Sequence, residues 1–240
     1  MKIALVTGGN KGIGFEVCRN LAQAGCRVLL AARNQALGEA AAERLRQEGL
    51  SEVAFLELDT TKDQTVQAAA RQIRSEHGHL DILVNNAGIN VAGDGRPSAA
   101  DLEVVRRVMD TNFIGTLRVT QAMLPLLKSA LAGRIVNVSS ELGSMTMNSN
   151  PEWEHYDAKL IGYNASKSAV NMLTVQLAWE LKDTPIKVNT VNPGYTATDL
   201  NGHSGPQSIQ EGAAETVRQS LVPDDAPTGG FFETGGIVPW

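Results

Sequence analysis

The chain reads as an α/β protein: a single domain built on a doubly wound, seven-stranded parallel sheet with helices on both faces. Three observations predict this. Short β-rich runs recur along the whole length, and segments of helical period separate them. Several runs are continuously apolar rather than alternating, as in Val28-Leu29-Leu30 and Ile82-Leu83-Val84, which marks strands covered on both faces. A glycine-rich loop containing Gly8, Gly12 and Gly14 follows the first run directly.

Taken in order, the predicted strands are Ile3–Thr7, Arg27–Ala32, 53–58, 80–85, 134–139, 186–191 and 230–234. The first helix is expected to begin near Phe15. Asn34 is placed to cap the second, which is rich in Ala, Glu and Arg and stops near Gly49. Thr61 is placed to cap the third, which ends near Gly78. Residues 109–131 and 162–182 give the two longest helical segments. Residues 141–161 lack periodicity and contain Asn148, Asn150 and Pro151, so they read as a loop with room for one short helix. A loop of that length inside a compact domain is usually functional.

Composition closes other doors. At 240 residues the chain buries about three quarters of its unfolded surface and needs no disulfide or metal staple. A net charge of −5 makes it a poor nucleic-acid binder, since phosphate backbones require a basic face. No apolar run approaches the length needed to span a membrane. Met1 to Gly9 carries no small-residue cleavage pattern and reads as a buried strand rather than a signal peptide. Cys18 and Cys26 are too far apart for a Cys-x-x-Cys pair, and His77, His79, His155 and His203 lack metal-ligand spacing. Reduced thiols, a cytoplasmic location and no metal are expected.

The segment Gly8-Gly9-Asn10-Lys11-Gly12-Ile13-Gly14 sits between a strand and a helix, where backbone N–H groups and a helix N-terminus can meet a pyrophosphate. The end of the second strand speaks to the choice of cofactor. An NAD site wants a carboxylate there for the ribose hydroxyls, whereas this chain offers Arg33, suited to a 2′-phosphate. With Lys11 it favours NADP(H) over NAD. Further along, Asn86-Ala87-Gly88 follows the fourth strand, Ser139 and Ser140 end the fifth, and Tyr163 and Lys167 stand at i, i+4 on one helix face.

With these residues in view the chain resembles a short-chain dehydrogenase/reductase over nearly its whole length, and within that family the carbonyl reductases. Gly-Gly-Asn-Lys-Gly-Ile-Gly at 8–14, Ala-Arg-Asn at 32–34 and Val-Pro-Trp at 238–240 carry the likeness to that branch. The resemblance implies a Rossmann fold and a catalytic set of Asn112, Ser139, Tyr163 and Lys167. It implies cofactor contacts from Asp59 and Thr60 near the adenine, from Asn86, Ala87 and Gly88, and from Pro193, Gly194, Thr196 and Thr198 at the nicotinamide end. Ser139 and Tyr163 are 24 residues apart, about twice the family's usual spacing, and the extra residues fall in 141–161. In multimeric relatives the tyrosine helix packs on a neighbouring subunit. An insertion beside it is expected to obstruct that contact, which favours a monomer.

The expected reaction is reduction of a small ketone or aldehyde by NADPH. Tyr163 would donate the proton and Ser139 would hold the carbonyl oxygen. Lys167 would favour the phenolate and bind the nicotinamide ribose, and Asn112 would hold a relay water. Met145 and Tyr195, with part of the loop, are expected to line an apolar substrate pocket; the alternative is that Trp153 and the methionines only pack the loop down. His155 reads as a surface residue, and Trp179 as core or interface. Two other functions stay open: an NADP(H)-sensing protein without turnover, and an NADP-linked dehydrogenase of sugar or steroid alcohols.

Overall fold

The structure is a computed structural model that describes residues 1–240. It contains β1 (Ile3–Thr7), α1 (Gly12–Gln23), β2 (Arg27–Ala32), α2 (Gln35–Gln47), β3 (Val53–Glu57), α3 (Asp63–His77) and β4 (Ile82–Asn85). There follow α4 (Leu102–Met109), a π-helical turn (Asp110–Ile114), α5 (Gly115–Leu127), β5 (Arg134–Val138), a 3₁₀ turn (Glu141–Gly143), α6 (Met145–Asn148) and α7 (Ile161–Glu180). The chain closes with β6 (Lys187–Val191), a 3₁₀ turn (Asp199–Asn201), α8 (Ile209–Ser220), β7 (Phe231–Glu233) and β8 (Gly236–Ile237).

The sheet order is β3-β2-β1-β4-β5-β6-β7-β8. Pairing is parallel throughout, except that β8 folds back antiparallel on β7. The sheet therefore has eight strands rather than seven. The strand pleat divides the core in two. Ile3 and Leu5 point with Leu29 and Leu83 toward α3, α5 and α7, while Ala4 and Val6 point with Val28 and Val84 toward α1, α2 and α8. Residues buried on both faces explain the continuous apolar runs.

Several predicted boundaries move. Asn34 caps α2 as expected, accepting from the Leu37 N–H at 2.9 Å. Thr61 does not cap α3: its N–H and hydroxyl both donate to Asp59, and the helix begins after Lys62 without a side-chain cap. The segment predicted at 109–131 starts seven residues earlier, where Asp101 accepts from the Glu103 N–H. It is interrupted by the π turn and ends at Leu127. Helix α8 escapes the periodicity reading, although Ser208 and Glu211 form a reciprocal capping box at its start.

The inserted segment does carry one short helix, α6. Two carbonyls tie it to the far end of the chain: Ser144 Oγ donates to that of Pro239, and the Thr146 N–H and hydroxyl to that of Trp240. The insertion leaves the outer face of α7 open, with Met172, Val175 and Trp179 exposed. Trp179 is therefore not a core residue, while Ser168 and Asn171 of the same helix donate to the Gly143 carbonyl of the insertion.

Candidate active site

In an open parallel sheet, ligands bind beyond the carboxyl ends of the strands where the winding reverses. Here that point lies between β1 and β4, and a cleft of about 710 Å³ opens over it. Gly8, Asn10, Lys11, Gly12, Ile13 and Gly14 form one wall. Gly8 and Gly12 have φ of +65° and +56°, which side-chain-bearing residues rarely adopt. A Cβ on Gly14 would stand 2.3 Å from Asn86 Nδ2 and 2.5 Å from the Gly8 carbonyl, so only glycine lets this turn close. Lys11 stands at the N-cap of α1 without a side-chain cap, which leaves first-turn N–H groups available to an anion.

Asn86 fixes this loop to the sheet. Its Nδ2 donates to the Thr7 and Gly8 carbonyls, while the Asn86 and Ala87 N–H groups donate to Thr7 Oγ1. Gly88 lies beside the Asn112 and Lys167 side chains. At the other end of the cleft, Arg33 is exposed on the rim and has no hydrogen bond or ion pair. Asp59 and Thr60 line the wall beside it. Burial pushes the Asp59 carboxyl up, but Thr61, Lys62 and Arg33 outweigh it and hold the group below its usual range. Lys11 Nζ meets Asp199 Oδ2 at 2.6 Å across the mouth. Pro193, Gly194, Thr196 and Thr198 form the lip, and Thr198 faces Gly12. The glycine cradle, the open helix end and the free guanidinium fit a dinucleotide.

The floor holds the titratable groups. Tyr163 and Lys167 project from the first two turns of α7, with Lys167 Nζ 5.6 Å from the Tyr163 ring centre. Burial raises the Tyr163 phenol to about 12, partly offset by the Ser140 hydroxyl, so it holds its proton at neutral pH. Burial lowers Lys167 to about 8, and its Nζ donates to the Val138 carbonyl at 2.8 Å.

Four expectations change. Ser139 and Ser140 both line the cleft, but the hydroxyl that lowers the Tyr163 phenol is that of Ser140, whose Oγ also accepts from the Leu142 N–H at 3.2 Å. Ser139 is 2% exposed, and its Oγ turns to the Lys167 carbonyl at 3.3 Å. Asn112 sits in the π turn with its side chain committed: Oδ1 accepts from the Ile89 N–H, and Nδ2 donates to the Ile89 carbonyl and Ser166 Oγ. In place of holding a relay water through that side chain, it ties the 86–89 loop to α7. Met145 is 72% exposed and does not line the cleft, because its short helix turns it to solvent. Tyr195 does line the cleft, and so do Leu142 and Leu160. His155 is a cleft residue rather than a surface one, edge-on to both Tyr195 and Trp153.

One residue near the floor carries no motif. Asp94 reaches α7 from the segment after β4 and accepts from the Gly162 and Tyr163 N–H groups at 2.8 and 2.7 Å. Only the three-dimensional fold brings it there, 69 positions from Tyr163.

Sheet order, glycine cradle and a phenol beside a buried lysine in one cleft are the arrangement of an oxidoreductase. The chain belongs to the short chain dehydrogenase family, whose profile matches residues 2–208. It is 35% identical to carbonyl reductase [NADPH] 1 of Sus scrofa, over all of this chain and 94% of that protein. It is 33% identical to (−)-isopiperitenone reductase of Mentha piperita, over 96% of each. The solved structure of salutaridine reductase from Papaver somniferum superimposes with a TM-score of 0.85 at 30% identity, over 97% of this chain and 99% of that one. The chain is thus an oxidoreductase acting on carbonyl or alcohol groups of small molecules.

Proposed function

We propose that this protein is an NADPH-dependent carbonyl reductase that converts a ketone or aldehyde to the alcohol, with Tyr163 as proton donor. The observation that carries the proposal is that the Tyr163 phenol, the Lys167 amine and the Ser140 hydroxyl line the same cleft as the glycine cradle. A reduced nicotinamide, when bound, supplies the hydride. Everything else falls to this chain. Gly8, Gly12 and Gly14 admit the phosphates to the start of α1, and Arg33 and Lys11 offer cations to a 2′-phosphate. Ser140 orients the carbonyl oxygen toward the Tyr163 hydroxyl. As charge grows on that oxygen, the phenol proton moves to it. Lys167, buried below the ring, then favours the phenolate that remains. The reductase names of the relatives support the reductive direction over a dehydrogenase of sugar or steroid alcohols. Tyr163, Lys167 and a serine hydroxyl share one cleft, which speaks against a sensor without turnover.

The test is a panel of ketones and aldehydes with NADPH and with NADH, followed by absorbance. Several carbonyls should accelerate NADPH oxidation. Tyr163→Phe should still bind NADPH but lose about 10²- to 10⁴-fold in kcat, the usual share of a positioned acid. If no carbonyl accelerates oxidation, the reductase reading is overturned. Wild-type turnover in Tyr163→Phe would overturn the assignment of the proton donor.

A further inference from the structure

The cleft is lined by charges of both signs. The free cation Arg33 stands at the end proposed for the cofactor, and Lys11 is paired to Asp199 at the mouth. Beyond Ser140, at the end left for substrate, the wall carries a carboxylate, Glu141. Its side chain is only 16% exposed. No hydrogen bond reaches its oxygens, and the nearest cationic candidate, His155 Nε2, lies 3.6 Å from Oε1, beyond good hydrogen-bond distance. The Glu141 N–H is anchored to Asn192 Oδ1 at 3.2 Å, so the residue is held in place beside the floor. Burial raises the Glu141 carboxyl, and Glu233 and Glu154 add to the rise against the pull of His155. An under-solvated carboxylate of this kind gains most from a cationic partner. Tyr195 lines the same cleft. The Tyr195 ring lies edge-on to His155 at 5.8 Å between centres, and its hydroxyl is held by Ser204 at 2.6 Å. His155 thus borders both the Tyr195 ring and the Glu141 carboxylate, and aromatic faces attract ammonium groups as carboxylates do.

We infer that the substrates of this cleft include carbonyl compounds that also carry a protonated amine, recognised by Glu141 with the Tyr195 ring. This rests on the reading of the cleft as a carbonyl reductase. A neutral isostere of the same shape would bury the carboxylate without compensating it, and an anionic one would meet it with like charge.

The experiment uses matched ketones, one bearing a tertiary amine and the other carbon in place of the nitrogen. For the whole chain the ratio of kcat/KM, amine over isostere, should exceed one. In Glu141→Gln that ratio should fall about tenfold or more, the discrimination expected of a charge-assisted contact. Binding of the same two compounds to the NADPH complex, by titration calorimetry, reads the site without turnover. There the amine should bind more tightly than the isostere, and Glu141→Gln should remove the difference. A ratio and a binding difference unchanged in Glu141→Gln overturn the inference. Amine-selective binding that depends on Glu141, with no ketone of any kind reduced, sustains it while overturning the reductase reading.

Discussion

At the scale of single residues, the chemistry turns on which of two adjacent serines meets the carbonyl oxygen. Ser139 and Ser140 are identical in composition and one position apart, so spacing to Tyr163 cannot separate them. The pleat separates them, because successive side chains leave a strand on opposite sides. Ser139 Oγ goes to the Lys167 carbonyl inside the fold, and Ser140 goes to Tyr163. Ser140→Ala should therefore lower kcat by about 10²-fold, as loss of an oxyanion-stabilising donor does. Ser139→Ala should cost mainly stability, about 1 kcal/mol for one buried hydrogen bond, and far less in kcat. Steady-state rates and denaturant titrations of both variants check this. Equal losses of kcat at unchanged stability would restore Ser139 to the role. Tyr163 and Lys167 were legible in the sequence because helical spacing states which residues share a face. Met145 was misread because a hydrophobic residue in an inserted loop says nothing of which way a four-residue helix will turn.

At the scale of elements, the catalytic helix depends on a residue far from it in sequence. Leu160 at the N-cap of α7 provides no side-chain acceptor, and Asp94 supplies it instead, across two N–H groups. One of those N–H groups is that of Tyr163, so the cap also fixes where the phenol starts. Asp94→Ala should cost about 1–2 kcal/mol in stability. It should also lower kcat with little change in NADPH affinity. Asp94→Asn, which keeps one acceptor, should fall between wild type and alanine in both. Thermal denaturation, kcat and NADPH titration on the folded variants distinguish the outcomes; kcat unchanged in Asp94→Ala would leave the cap purely structural. The same contrast explains what could be read beforehand. Strands buried on both faces announce themselves by apolar runs, and Asn34 announces α2 by its side chain. Strand β8 is two exposed residues and has no pattern to show. The π turn that presents Asn112 inward lies within an unbroken helical run, where periodicity gives no sign of one extra residue per turn.

At the scale of the whole molecule, the cleft is assembled from chain ends on both sides of the sheet's switch point. Residues after β1, β2, β3, β4, β5 and β6 all contribute to its wall. A ligand that spans it should therefore stabilise the fold as a unit, because only the folded chain brings these loops together. At a hundredfold excess over Kd the gain is about 2.7 kcal/mol. For a chain of this length that corresponds to a rise in Tm of roughly 5–10 °C. Arg33 has no protein partner, and its guanidinium is the cation best placed for a 2′-phosphate, so NADPH should raise Tm more than NADH at equal concentration. In Arg33→Asp the order should reverse: the new carboxylate repels the 2′-phosphate and accepts from the ribose hydroxyls of NADH. The substitution sits on the exposed rim and removes only the long-range pull of Arg33 on Asp59, so stability without cofactor should change by no more than about 0.5 kcal/mol. Thermal-shift curves for both proteins with each cofactor, read beside the NADPH/NADH ratio of kcat/KM, make the comparison independent of any one substrate. If Arg33→Asp keeps the wild-type order in both measurements, the guanidinium has no part in choosing the cofactor, and Lys11 would have to release Asp199 to choose it alone.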